Sequence, residues 1–120
     1  MIRKILFFIW FALIVFLSVS PNSLGDQSLL HKIALTPSGF FQHVLGYFIL
    51  GIITFYTFDK KRIWFYLLGF LVLGALLELI QYKIPSRSFN LYDLLGNSIG
   101  LLGIALIIIF KKRKFRHNEH

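Results

Sequence analysis

The chain has 120 residues, is 57% hydrophobic and holds 14 phenylalanines, more apolar surface than one small soluble domain can bury, so lipid is its expected solvent. It has no cysteine, which excludes disulfides, thiol catalysis and a Cys-ligated zinc site. Its net charge of +8 does not describe a nucleic-acid surface, because the basic residues stand at the ends of apolar runs and form no stripe.

In chain order, four apolar stretches read as transmembrane helices: 5–19, 40–58, 63–82 and 91–110. A spanning helix needs about 20 residues, with a range of roughly 17–25, and the last three fit. The first is short and can borrow Arg3 and Lys4 by snorkelling. It also has the form of a signal peptide, with Arg3 and Lys4, an apolar core and then Ser18-Val19-Ser20. Pro21 directly follows that cleavage point and disfavours cutting, so retention as a helix is the expectation. The fold class is therefore all-α, one membrane domain over 1–110 with a basic cytoplasmic tail over 111–120.

The connections sort by charge. Ten of the 13 lysines and arginines lie in the N-terminus, the second loop (Lys60, Lys61, Arg62) and the tail. Only Lys32, Lys83 and Arg87 lie in the first and third loops. By the positive-inside rule the chain is expected to run N-in and C-in as a multi-pass membrane protein. The first loop, 20–39, carries Pro21, Gly25, Pro37 and Gly39 and is long for so small a protein. Within it Leu29, Leu30, Ile33 and Leu35 suit either a short interfacial helix or a disordered connector. The tail "KKRKFRHNEH" is expected to stop the last helix and to attract anionic lipid, with no metal site at His117 and His120.

The stretch "ELIQYKIPSRSFNLYDLLGNSIG", 78–100, sets Glu78, Gln81, Arg87, Asp93 and Asn97 between two apolar runs. In the expected topology they share the outer leaflet with His43 and Tyr47. At a rise of about 1.5 Å per residue Glu78 lies roughly 6 Å, and Asn97 roughly 9 Å, inside its helix. Gly74, Glu78 and Gln81 share one helix face by spacing, as do Asp93, Asn97 and Gly100, and His43, Tyr47 and Gly51. Three stripes of polar groups with glycine beneath are expected to face one another, because glycine lets membrane helices approach closely. Structural roles fit several members: Asn90 as the N-cap of the last helix with Asp93 three residues on, and Gln81 and Asn97 as interhelical hydrogen-bonding groups. Glu78 is harder to read that way, since an acidic side chain within a span costs on the order of 2–3 kcal/mol unless paired or neutralised.

"QHVLGYFILG" followed by "ELIQYKIPSRSFNLYDLLGNSIG" resembles the VanZ-like family of small bacterial membrane proteins. The pattern is His43 with Tyr47, Glu78 with Gln81, Pro85 and Arg87, then Asp93, Asn97 and Gly100, over roughly 40–103. One departure stands out: family members often carry an Asp-Lys pair where this chain has Gly39 and Phe40, so any role of that pair is absent or falls to another residue such as Lys32. The resemblance implies a multi-span protein of the cell envelope, with a link to resistance against the glycopeptide teicoplanin.

Two functions compete. The first is a site for an amphiphilic anion such as a lipid-linked cell-wall precursor, or for the glycopeptide itself. Arg87 then holds phosphate, Glu78 or His43 serves as acid or base if there is chemistry, and Gln81, Asp93, Asn97 and Tyr47 line the ligand. The second is a non-catalytic protector that limits access of a lipidated drug, with the cluster serving as structural glue. A proton or ion pathway is disfavoured, because the other half of the spans carries no ionisable group. No metal, cofactor or nucleic acid is expected, and two carboxylates at this spacing are by themselves weak evidence for a metal.

Overall fold

The computed structural model describes residues 1–19, 33–34, 39–84 and 89–119. Four helices dominate: α1 (Ile2–Val19), α2 (Phe40–Thr57), α3 (Ile63–Lys83) and α4 (Leu91–Asn118). Each is long and apolar enough to cross a membrane. In lipid every backbone N–H and C=O must be satisfied within the chain, and a helix does so locally. Large apolar side chains consequently point outward, among them Phe8, Leu68, Leu79 and Leu102. α1 begins at Ile2, so Arg3 and Lys4 belong to the helix itself.

α4 corrects the expected stop at residue 110, running unbroken to Asn118 through the basic segment. Lysine and arginine are good helix formers, and Arg116 and His117 in the last turn suit the negative end of the helix dipole. Its 28 residues span about 42 Å, beyond the roughly 30 Å of hydrocarbon, so the basic end projects out of the apolar layer.

A second correction falls in the first loop. Ile33–Ala34 (β1) pairs in parallel with Phe89–Asn90 (β2), Ile33 opposite Phe89 and Ala34 opposite Asn90. Ile33 is thus extended and belongs to neither an interfacial helix nor a disordered connector. The bridge gives backbone groups beside the start of α4 partners that a helix there would keep to itself. Leu29, Leu30, Leu35, Lys32 and Arg87 lie outside the described residues.

Packing is closest between α2 and α4. A Cβ placed on Gly96 would stand 2.9 Å from the Phe40 carbonyl oxygen and 3.0 Å from His43 Cβ. One on Gly100 would run into the Val44 carbonyl and the Phe48 nitrogen. Hydrogen at these positions is what allows the two backbones to meet. α1 docks on α2 and α3. Phe7 is buried with its ring edge-on to Phe58 at 4.8 Å, and Trp10 Nε1 donates to the Gly46 carbonyl at 3.0 Å. The apolar core of Leu50, Ile63, Leu67, Phe70, Leu101, Ile104 and Ile108 lies beneath Tyr47.

The two ends of the bundle differ in character. Basic groups gather at one of them: Arg3 Nη1 donates to the Tyr56 carbonyl at 3.2 Å and Lys111 Nζ to the Tyr56 hydroxyl at 3.2 Å. Lys60 lies over the Phe55 ring and Lys112 over Trp64. The connection there is a 3₁₀ turn, Lys60–Arg62, capped by Asp59 Oδ1, which accepts from the Lys61 N–H at 3.0 Å. The opposite end joins the start of α2, the end of α3 and the start of α4.

Candidate functional site

At that second end three helices deliver polar side chains to one place. His43 comes from the first turn of α2, Glu78 from the last turns of α3, Asp93 and Asn97 from the first turns of α4. Asn90 caps α4, its Oδ1 accepting from the Tyr92 N–H at 3.0 Å. The expected cap is therefore present. The Asn90 N–H donates to Glu78 Oε2 at 3.1 Å, so the end of α3 is tied to the start of α4 through a buried hydrogen bond.

His43 is the hub. Its Nδ1 lies 2.6 Å from Asn97 Oδ1, and its Nε2 lies 3.4 Å from Asp93 Oδ2. A carboxamide oxygen can only accept, so the short contact to Asn97 requires a proton on Nδ1. That leaves Nε2 facing Asp93, as a lone pair in the neutral ring or as a second N–H in the cation. One donor atom each from His43, Glu78 and Asp93 lie within 4.8 Å of one another.

Access is graded. The His43 and Asp93 side chains keep 20% and 13% of their exposure, whereas Glu78, Gln81 and Asn97 are each 1% exposed. The accessible histidine–aspartate pair thus overlies a sealed polar floor. Gln81 belongs to that floor, and its Nε2 has no hydrogen-bond partner among the described residues. Gly74 makes room for Asn97 and Tyr47: a Cβ there would stand 2.7 Å from Asn97 Nδ2 and 3.2 Å from the Tyr47 hydroxyl. A Cβ on Gly39 would stand 2.9 Å from Asp93 Oδ1, so the residue before α2 also yields space to this carboxylate.

The structure brings together His43, Glu78, Asp93 and Asn97, as their shared faces suggest. Tyr47 is 3% exposed and joins the apolar core one turn below His43, with its hydroxyl at the Gly74–Asn97 contact; it supports the site from beneath. Arg87, expected to hold phosphate, lies outside the described residues. Sequence reasoning missed Asn90 as the backbone donor to Glu78. It also considered a metal only for the two carboxylates, without His43 on a different helix. The signal for the His43 contribution was the closeness of α2 and α4, written in Gly96 and Gly100; the Asn90–Glu78 bond, between α3 and α4, had no such signal.

Chemically the arrangement offers a buried carboxylate, an imidazole oriented by an amide, a second carboxylate at the rim and an amide donor in the floor. That set can take up or deliver a proton, bind a polar headgroup or hold a cation. A separate groove of about 730 Å³ at the basic end is lined by Phe55, Tyr56, Lys60, Lys111, Lys112 and Arg116 among others, and suits anionic lipid as any such cluster does. The chain matches no protein-family model, no curated protein and no solved structure.

Proposed function

We propose that this chain is a VanZ-like membrane protein of the bacterial cell envelope, and that its polar end, in the outer leaflet, takes the headgroup of a lipid-linked envelope component. The observation that carries the reading is the meeting of His43, Glu78 and Asp93, three ionisable groups from three helices, at one end of an otherwise apolar bundle. A carboxylate placed as deep as Glu78 is expensive to insert, and intramembrane ionisable groups at such depth mark ligand or proton sites by default. The separation of charge supports the orientation, since the basic groups of the N-terminus, the second loop and α4 all stand at the opposite end.

In this reading the headgroup enters over His43 and Asp93, the accessible members. His43, aligned by Asn97, hydrogen-bonds the ligand or exchanges a proton with it. Gln81 Nε2 donates from below. Arg87, carried in sequence between Ile84 and Phe89, pairs with phosphate. The second reading, a non-catalytic protector with a structural cluster, draws on one observation: the Asn90 N–H to Glu78 bond, which fastens α3 to α4.

Survival of a sensitive strain across teicoplanin concentrations separates the two. Glu78→Gln keeps an oxygen acceptor for Asn90 but removes the ionisable group, and it removes the desolvation of a charge. Arg87→Lys removes bidentate phosphate recognition. The site reading expects both to lose protection at parental membrane levels, with Asn118→Ala as control. If both protect like the parent, the cluster is structural. If the parent does not protect, the resistance role does not transfer to this chain.

A further inference from the structure

The geometry around His43 points to a metal. Metal-ligating histidines present one ring nitrogen to the ion and donate the other N–H to an oxygen that fixes tautomer and orientation. His43 has this arrangement, with Nδ1–H on Asn97 Oδ1 at 2.6 Å and Nε2 turned to Asp93. The Nε2 to Asp93 Oδ2 distance is 3.4 Å, longer than the roughly 2.7–2.9 Å of a charge-assisted N–H to carboxylate bond. It equals the separation of two ligand atoms on a tetrahedral ion with bonds of about 2.1 Å, which is about 3.4 Å. Glu78 supplies a third donor from another helix, the three donor atoms lying within 4.8 Å of one another, so on an ion with bonds of about 2.1 Å the set closes by roughly 1 Å through side-chain rotation; its Oε2 accepts from the Asn90 N–H, which braces the carboxylate from outside. One turn further along α3 Gln81 is 1% exposed, and its Nε2 has no partner among the described residues.

We infer that His43 Nε2, Asp93 and Glu78 form a three-donor site for a transition-metal dication of the zinc type, with Asn97 as the positioning residue for His43. The imidazole argues against magnesium and calcium, which select oxygen donors, and the mixed nitrogen and carboxylate set suits zinc. Three protein donors leave a further coordination position open, as in zinc sites that bind an exogenous ligand. Each helix of the α2–α3–α4 end contributes one donor, so the ion also cross-links the bundle. With the ion bound both ring nitrogens of His43 are taken, so a headgroup would reach the site through the open coordination position and not through His43 itself; the inference also stands without the headgroup reading, since a structural ion would satisfy it equally.

The test is cobalt titration of the full chain, purified in detergent micelles with a histidine-free tag and stripped with chelator. Tetrahedral cobalt absorbs strongly in the visible range, whereas hydrated cobalt absorbs weakly. The expected result is a visible band that saturates at one equivalent and is displaced by zinc. Binding should survive a triple variant in which His31, His117 and His120 are glutamine. It should be lost in His43→Gln and weakened at least tenfold in Asp93→Asn and Glu78→Gln. Asn97→Leu should weaken it about 10–100-fold, the range for loss of an outer hydrogen bond to a ligand. Helicity measured on each variant separates loss of the site from loss of the fold. A parent chain that gives no saturable band, binding that persists in His43→Gln, or binding that vanishes in the triple histidine variant would overturn the inference.

Discussion

Replacing Gly100 by alanine tests the α2–α4 contact on which the polar end is built. The new methyl would meet the Val44 carbonyl and stand 2.9 Å from the Phe48 nitrogen and 3.3 Å from Tyr47 Cβ. Two of these neighbours are backbone, so no rotamer change relieves the collision, and α2 must move by about 1 Å at the Val44 carbonyl to reach ordinary contact. Overpacking costs about 1–3 kcal/mol, and a clash with backbone belongs at the upper end. Alanine returns about 1 kcal/mol of helix propensity over glycine, leaving a net loss of about 2 kcal/mol. Gly46 and Gly69 have nothing within 4 Å of a built Cβ, so alanine there should be neutral or stabilising by up to about 1 kcal/mol. The assay is SDS-induced unfolding in mixed micelles, followed by Trp fluorescence, for all three variants beside the parent. If Gly100→Ala unfolds with Gly46→Ala and Gly69→Ala, the helices are not in backbone contact at Gly100 and the packing argument fails.

Gly74→Ala should act on the site more than on the fold. Its methyl would displace the Asn97 amide and the Tyr47 hydroxyl, both ends of side chains, so the His43–Asn97 bond weakens while stability falls by only about 1 kcal/mol; a His43 ring ¹⁵N spectrum identical to the parent's would refute this. Charge asymmetry predicts that single cysteines at Asn22 and Ser88 label from outside intact cells while one at Asn118 does not. Outside labelling at Asn118 would reverse the orientation.

The helices were legible because lipid leaves the backbone few choices, and the helical spacing of Gly74, Glu78 and Gln81 already put them on one face. All three are buried in the structure, whereas Leu79, the neighbour of Glu78, is exposed. Asn90 was legible as a cap for the same local reason. What resisted reading was relational. The Asn90 N–H to Glu78 bond and the pairing of Ile33 with Phe89 depend on how separate segments meet in space, which no short-range pattern encodes. Extension of α4 to Asn118 was hidden by a competition: the basic run signals the membrane boundary, yet its residues favour helix, and leaving the apolar layer does not oblige a helix to end.

A phosphorylated headgroup seated, as proposed, at the His43–Asp93–Glu78 end would bring phosphorus close to the His43 ring. The most direct measurement is ¹⁵N–³¹P dipolar recoupling by solid-state NMR, with the chain in bilayers containing lipid-linked cell-wall precursor. The ring nitrogens of His43 are labelled, and His31, His117 and His120 are replaced by glutamine so that one histidine remains. The expected result is dephasing of the His43 ring signal by headgroup phosphorus, reduced to the level of precursor-free bilayers in Asp93→Asn. A His43 signal that the precursor leaves unchanged, in protein whose helicity is intact, would contradict it.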